Sequence, residues 1–220
     1  MVEALAKYLA SDIRETLGRQ ACYRWALAGG STPGRLYRRL AQPGAADVLD
    51  WRRMRLFWGD ERCVPPDDPQ SNYRMVRESL LDHVPIPAGN IFPIDGTLEP
   101  ERSAAAYAQV LGEEPLDCVL LGMGEDGHTA SLFPGHGWGD APDSPDVLVV
   151  HEAPKPPPER VSLSAARLNR SQRVWFVITG SGKREALLRW KSGEVLPLSV
   201  VHGEQETVAW LDAAAWPPGE

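Results

Sequence analysis

Apolar residues recur at Leu5, Leu9, Ile13 and Leu17. This spacing near four predicts an amphipathic helix over residues 2–17. Beyond it, short continuous apolar runs alternate with helical spacing. Residues 23–28 predict a strand, which empties into Gly29-Gly30-Ser31-Thr32-Pro33, and helical pattern resumes through Leu36, Tyr37 and Leu40. Residues 54–58 form the next predicted strand and run into Gly59-Asp60-Glu61-Arg62. A Pro- and Asp-rich loop, 64–70, precedes a helix over 71–82, a short extended piece at Ile91 and Phe92, and a helix over 101–111. Residues 117–121 read as a buried strand. They are followed by Gly122-Met123-Gly124-Glu125-Asp126-Gly127-His128, a short polar-then-apolar segment, and the stop Pro134-Gly135. An irregular loop over 135–146 leads to predicted strands at 147–150 and 160–164, separated by a proline run. A strongly β-prone strand at 174–178 leads into Gly180-Ser181-Gly182-Lys183 and a helix to Lys191, and the apolar segments 198–201 and 208–211 close the chain.

Strands alternating with helices imply an α/β fold with a mainly parallel sheet covered on both faces, built as one domain over residues 1–220. Ligands of such sheets bind beyond the carboxyl ends of the strands. The loops 29–33, 59–62, 122–128 and 180–183 each follow a predicted strand directly, so they are expected to converge there.

Composition narrows the function classes. The chain is 43% hydrophobic and 24% charged, as a globular protein should be, and no apolar run is long enough to predict a membrane span. The N-terminus lacks the basic-then-apolar order of a signal peptide. The three cysteines, Cys22, Cys63 and Cys118, lack C-x-x-C spacing and read as reduced packing residues of a cytosolic protein, with no metal site implied. Net charge is −7 with no dense Lys/Arg stripe, which argues against nucleic acid as a partner. A small anionic ligand would have to be attracted by a few local cations working against that global charge. Most of the eight tryptophans, including Trp25, Trp51, Trp58 and Trp175, lie in or beside predicted strands and are expected in the core. His83, His136, His151 and His202 show no metal-ligand spacing among themselves.

The loops carry the candidate chemistry. Asp126 and His128 stand two residues apart in a glycine-rich turn at the carboxyl end of a strand. Imidazole is the side chain suited to moving protons near neutral pH, and a neighbouring carboxylate can orient it. A lone histidine could equally just cap the turn. The segment 122–127 matches G-x-G-x-x-G, but a dinucleotide site needs a long helix after it. Pro134 leaves room for less than two turns, and Glu125 and Asp126 would face the pyrophosphate. Gly29-Gly30-Ser31-Thr32-Pro33 is built like an anion cradle: glycines allow close backbone approach, and Ser31 or Thr32 can cap the helix whose dipole favours a phosphate. The same residues also make an ordinary strand–turn–helix junction. Gly180-Ser181-Gly182-Lys183 ends like a P-loop, yet Val177 stands at the first glycine position and Arg184 at the hydroxyl position, so nucleotide hydrolysis is not implied. Lys183 remains available as a point charge. Asp60-Glu61-Arg62 places three charges directly after a strand, either as an internal ion pair or as an anion site in which carboxylates orient Arg62. The proline-stiffened loop 153–160 carries Lys155 and Arg160, which could be solvated or close over a ligand.

Together these segments resemble the 6-phosphogluconolactonase family over most of the chain. The resemblance is carried by Leu27-Ala28-Gly29-Gly30-Ser31-Thr32-Pro33, Trp58-Gly59-Asp60-Glu61-Arg62, Ser71-Asn72-Tyr73, the run 121–134, Pro156-Pro157-Pro158-Glu159-Arg160-Val161-Ser162 and Gly180-Ser181-Gly182-Lys183. It implies a Rossmann-like three-layer α/β/α sandwich without any nucleotide, in a cytoplasmic enzyme of the oxidative pentose phosphate pathway. That enzyme would hydrolyse 6-phospho-D-glucono-1,5-lactone to 6-phosphogluconate with no metal and no cofactor, and a monomer is the simplest state. His128 is then the expected general base, with Asp126 orienting it or positioning substrate. Gly30, Ser31, Thr32, Asp60, Arg62 and Lys183 are expected around substrate and its phosphate, with Lys155 and Arg160 as further contributors. Backbone N–H groups around Gly124 to Gly127 are the expected oxyanion donors. The alternative is the related deamination and isomerisation of glucosamine 6-phosphate. In those enzymes the shared Asp-Gly-His runs on to a Phe-Asn-Glu-Pro-type sequence whose glutamate partners the histidine. Here Thr129-Ala130-Ser131-Leu132-Phe133-Pro134 contains no carboxylate, which favours hydrolysis. A non-catalytic sugar-phosphate-binding regulator would need a missing base or an added DNA-binding module, and neither is seen.

Overall fold

The three strands that read as almost purely apolar lie side by side at the centre of the sheet. In a computed structural model, which describes residues 1–216, β1 (Tyr23–Leu27), β4 (Cys118–Gly122) and β7 (Arg173–Ile178) are buried nearly throughout. Strands buried on both faces need no polar alternation. They are flanked by β2 (Met54–Trp58) on one edge and β8 (Glu206–Leu211) on the other, giving the order β2-β1-β4-β7-β8, and every pairing is parallel. Helices α1 (Val2–Leu17), α2 (Ser31–Leu40), α3 (Asn72–Ser79), α4 (Pro100–Leu111) and α6 (Arg184–Lys191) flank this sheet, and a short helix, α5 (Ala165–Asn169), precedes β7. Helix α1 matches its predicted span and buries Leu5, Leu9, Ile13 and Leu17. The α/β class and the mainly parallel sheet are as expected.

The chain order reverses between β1 and β4. In parallel sheets that reversal opens a crevice at the carboxyl ends, because the connections from the two strands leave in opposite directions. The loops after β1 and β4 are those starting at Ala28 and at Met123.

A second, three-stranded sheet stands beside the first. Its order is β3-β6-β5, with β3 (Asp60–Arg62), β5 (Val147–Val150) and β6 (Arg160–Leu163) all antiparallel. The segment 60–62, expected as a loop, is therefore a short strand. Its register pairs Asp60 with Ser162, Glu61 with Val161 and Arg62 with Arg160. Helix α4 packs against β5 and β6. One helix also departs from expectation: α3 ends at Ser79 and gives way to a single 3-10 turn. The stretch at 198–201 lies largely in a helical turn, α7 (Pro197–Val200). Trp25, Trp51, Trp58 and Trp175 are all in the core.

Candidate active site

The turn after β4 is closed by backbone hydrogen bonds from Gly124 N–H to the His128 carbonyl at 2.8 Å and from Gly127 N–H to the Gly124 carbonyl at 3.1 Å. This compact loop brings His128 Nδ1 to 2.5 Å from Asp126 Oδ1, and the His128 backbone N–H donates to the same oxygen at 3.2 Å. An ionised carboxylate can only accept, so Nδ1 carries the proton and the lone pair of the neutral ring sits on Nε2. Burial alone would raise the Asp126 pKa. The hydrogen bond and charge of His128, its backbone N–H and the charge of Lys155 outweigh that and hold the carboxyl well below the usual range. The opposite side of the imidazole packs on buried Phe133, with ring centroids 4.6 Å apart.

The pair fits because residue 124 is glycine. A Cβ there would lie 2.0 Å from His128 Nδ1 and 2.4 Å from Asp126 Oδ1. The same hydrogen bonds correct one expectation. The N–H groups of Gly124 and Gly127 are consumed within the turn, so they are not available to an oxyanion. Among the described residues, the backbone donors of this turn left without a partner are those of Met123, Glu125 and Asp126, and of these three residues Met123 lines the cleft.

Facing His128 is a cleft whose free space, open to solvent, is about 680 Å³. Its wall includes Gly29, Gly30, Asp60, Arg62, Asn72, Gly124, His128, Lys155, Arg160 and Lys183. The loops after β1, β2, β4 and β7 all reach it, as the sheet topology requires.

Strand β3 divides its charges by the alternation of a strand. Asp60 and Arg62 face the cleft, whereas buried Glu61 points to the start of α3. There the Glu61 carboxylate accepts the N–H groups of Asn72 and Tyr73, each at 2.7 Å, and the Ser71 hydroxyl at 3.2 Å. Burial pushes the Glu61 pKa up despite these bonds. Asp60 is held by Ser131, whose hydroxyl donates to Oδ2 at 2.7 Å, and by the Asn72 amide.

Arg62 donates from Nη1 to the Gln70 carbonyl at 2.7 Å, while its buried Nε has no partner. Arg160 lies directly across the strand pair from Arg62, an unfavourable juxtaposition of like charges unless an anion or carboxylate answers it. Burial lowers the Arg160 pKa; Asp60 and Glu61 oppose that shift, while Arg62 adds to it. Most of the Arg160 donors go to backbone carbonyls, from Nε to Pro157 at 3.1 Å and from Nη2 to Lys155 at 2.8 Å, and its guanidinium stacks on Phe133. Arg160 thus clamps the loop that places Lys155 at the cleft. Lys183 sits in the single 3-10 turn before α6.

The cradle at 29–33 differs in detail from expectation. Gly30, not Ser31 or Thr32, is the N-cap of α2. Ser31 is exposed and does not line the cleft, and the Thr32 hydroxyl lies 2.5 Å from that of Thr179 in the loop after β7, so it ties two site loops together. Gly30 itself lines the cleft. Asn72, part of the Ser71-Asn72-Tyr73 segment, joins the cleft wall beside Gly29, a placement that residue type alone does not signal. Among the described residues, no cluster of three or more His, Cys, Asp or Glu side chains is placed to hold a metal ion, and no helix is long and apolar enough to cross a membrane.

The family model described as glucosamine-6-phosphate isomerases/6-phosphogluconolactonase matches residues 1–210. The chain is 37% identical to the 6-phosphogluconolactonase of Mycobacterium leprae, over 100% of this chain and 95% of that protein. It is also 37% identical to the chloroplastic 6-phosphogluconolactonase 3 of Arabidopsis thaliana, over 98% of this chain and 71% of that one. The solved structure of the 6-phosphogluconolactonase from Thermotoga maritima superposes with a TM-score of 0.87 at 32% identity, covering 96% of this chain and 94% of that one.

Proposed function

The chain belongs to the glucosamine-6-phosphate isomerase/6-phosphogluconolactonase family, and from that premise we propose that it hydrolyses 6-phospho-D-glucono-1,5-lactone to 6-phosphogluconate, with His128 as general base. The observation that carries this reading is one cleft lined by an Asp-oriented imidazole and by Arg62, Lys155 and Lys183, in a chain of net charge −7. Local cations of that kind suit a phosphorylated, otherwise neutral substrate.

The chemistry follows from the geometry. A water at Nε2 gives up a proton to the imidazole as its oxygen bonds to the lactone carbonyl carbon. Asp126, ionised, holds the ring in the reactive tautomer and steadies the imidazolium that forms. The carbonyl oxygen becomes an oxyanion, stabilised by the positive charge of the cleft. Collapse breaks the bond to the ring oxygen, which takes the proton back from Nε2, and the new carboxylic acid ionises. Arg62, Lys155, Lys183 and the α2 N-terminus at Gly30 hold the phosphate, whose binding energy aligns the carbonyl with the water. A lactone is already an activated ester, so this scheme calls on no metal or cofactor. A cytoplasmic location and a monomeric state form part of the same proposal.

The test is hydrolysis of freshly generated phospholactone, coupled to 6-phosphogluconate dehydrogenase and corrected for spontaneous opening, with ammonia release from glucosamine 6-phosphate measured in parallel. Lactone hydrolysis lost in His128→Ala supports the reading. Ammonia release without lactone hydrolysis overturns it in favour of the deaminase branch, and activity on neither substrate points to a binding protein.

A further inference from the structure

Asn72 opens α3, yet its side chain turns inward and is only 2% exposed. Its Nδ2 donates to the Asp60 backbone carbonyl at 2.9 Å and to Asp60 Oδ1 at 3.2 Å. Two acceptors on one side settle which end of the amide is nitrogen. The oxygen therefore faces the other way, toward Gly29, where a Cβ would come within 1.8 Å of it. A side chain at 29 and the Asn72 amide exclude each other, so the glycine after β1 makes room for this group.

Asn72 lines the cleft between Gly29 and Asp60, and its Oδ1 accepts no hydrogen bond from any described residue. Every other charged side chain here is a cation, is His128, or is Asp60, whose oxygens are already engaged by Asn72 and Ser131. An acceptor left open in such a wall calls for a donor from the ligand. Of the groups a phosphorylated sugar lactone carries, the ring hydroxyls donate, whereas an ionised phosphate and a carbonyl offer acceptors alone.

We propose that Asn72 is a specificity-determining residue that reads a ring hydroxyl of the sugar lactone through Oδ1 while its Nδ2 fixes Asp60. This rests on the lactonase reading above. The two ends of one amide thus couple recognition of a hydroxyl to the position of a site carboxylate.

The test compares wild type, Asn72→Ser and Asn72→Asp on the phospholactone and on analogues lacking one ring hydroxyl at a time. Asn72→Ser is expected to lower kcat/KM about tenfold on the full substrate. On the one analogue without the recognised hydroxyl the loss should be clearly smaller, keeping only the part that comes from the lost support of Asp60, as in a double-mutant cycle with a non-zero coupling term. Asn72→Asp is isosteric and keeps an oxygen toward the cleft. It should retain the preference for the hydroxylated substrate while kcat falls, because its carboxylate cannot donate to Asp60. Its kcat relative to wild type should recover as pH falls, since a protonated carboxyl can donate again. If Asn72→Ser lowers kcat/KM equally on every analogue, or Asn72→Asp loses the hydroxyl preference, the proposal is overturned and Asn72 only supports Asp60. If Asn72→Ser does not fold, the Asn72→Asp comparison decides. A wild type without lactonase activity overturns the functional reading itself, and this inference with it, a result distinct from active enzyme with a flat analogue profile.

Discussion

His128 Nδ1 and Asp126 Oδ1 lie 2.5 Å apart across a single turn, and the Cα hydrogen of Gly124 points into the space between them. A methyl group at that point would overlap both the ring nitrogen and the carboxylate. Gly124→Ala should therefore split the pair while leaving the hydrophobic core untouched. We expect kcat to fall by about a hundredfold or more with a near-normal KM for substrate, since small displacements of a catalytic group cost about that much. Steady-state kinetics with a thermal melt close to wild type would check it; an unchanged kcat would mean that the pairing is not needed for turnover.

His128→Asn keeps a polar side chain of similar reach but removes the base. A loss of about 10²–10⁴ in kcat is expected, with KM little changed, because general-base catalysis contributes on that scale and the cations hold the phosphate independently. Single-turnover measurement of lactone opening, corrected for the uncatalysed rate, separates this from slow product release.

Asp126→Asn tests the tautomer. An amide can turn its NH₂ toward Nδ1, which would move the ring proton to Nε2 and leave no lone pair for water; kcat should fall by about a hundredfold or more. The folded-state pKa of Asp126 is depressed below its unfolded value. Its contribution to stability is therefore present above the ordinary carboxylate range and lost as pH falls through the depressed value. Wild type should accordingly lose stability on acidification more steeply than Asp126→Asn, measured as denaturant midpoints across the acid range. Parallel curves would count against the pairing.

Much of this site could be read before the structure. The glycine loops after β1, β4 and β7 stood out because apolar runs ended abruptly in them, and Asp126 and His128 are close in the chain as well as in space. What escaped was set by partners distant in sequence. Asp60-Glu61-Arg62 reads as a loop because charged triplets are poor strand formers, yet pairing with residues 160–162 makes it one. That pairing alone sorts Asp60 and Arg62 from Glu61, whose role at the start of α3 has no local signature. The contact of Asn72 with Gly29 likewise spans two different βα units.

Arg62→Ala removes the cleft guanidinium whose Nε lacks a protein partner. The KM for phospholactone should rise about 10–100-fold, the scale of lost charge-assisted hydrogen bonds. Unphosphorylated gluconolactone, a poor substrate from the outset, should be affected within about twofold. Equal losses on both substrates would move Arg62 from phosphate binding to a structural role beside Arg160.

Lys183 offers a pH signature. Burial lowers its pKa; Glu125 and Asp126 oppose that shift and Lys155 adds to it. An ammonium that titrates early loses its attraction for phosphate as pH rises through its lowered pKa. Affinity for 6-phosphogluconate, which is stable where the lactone is not, should therefore weaken on the alkaline side, with protons taken up on binding. Lys183→Arg keeps its charge and should flatten that limb. The effect on folding has the opposite sign. A lysine whose pKa is lower in the folded than in the unfolded chain costs stability while charged, and that cost is relieved as pH rises through the folded value. Calorimetric titrations at several pH values, beside melts over the same range, should show affinity falling while this lysine's penalty on folding fades. An alkaline limb that persists unchanged in Lys183→Arg would assign the titration to another group.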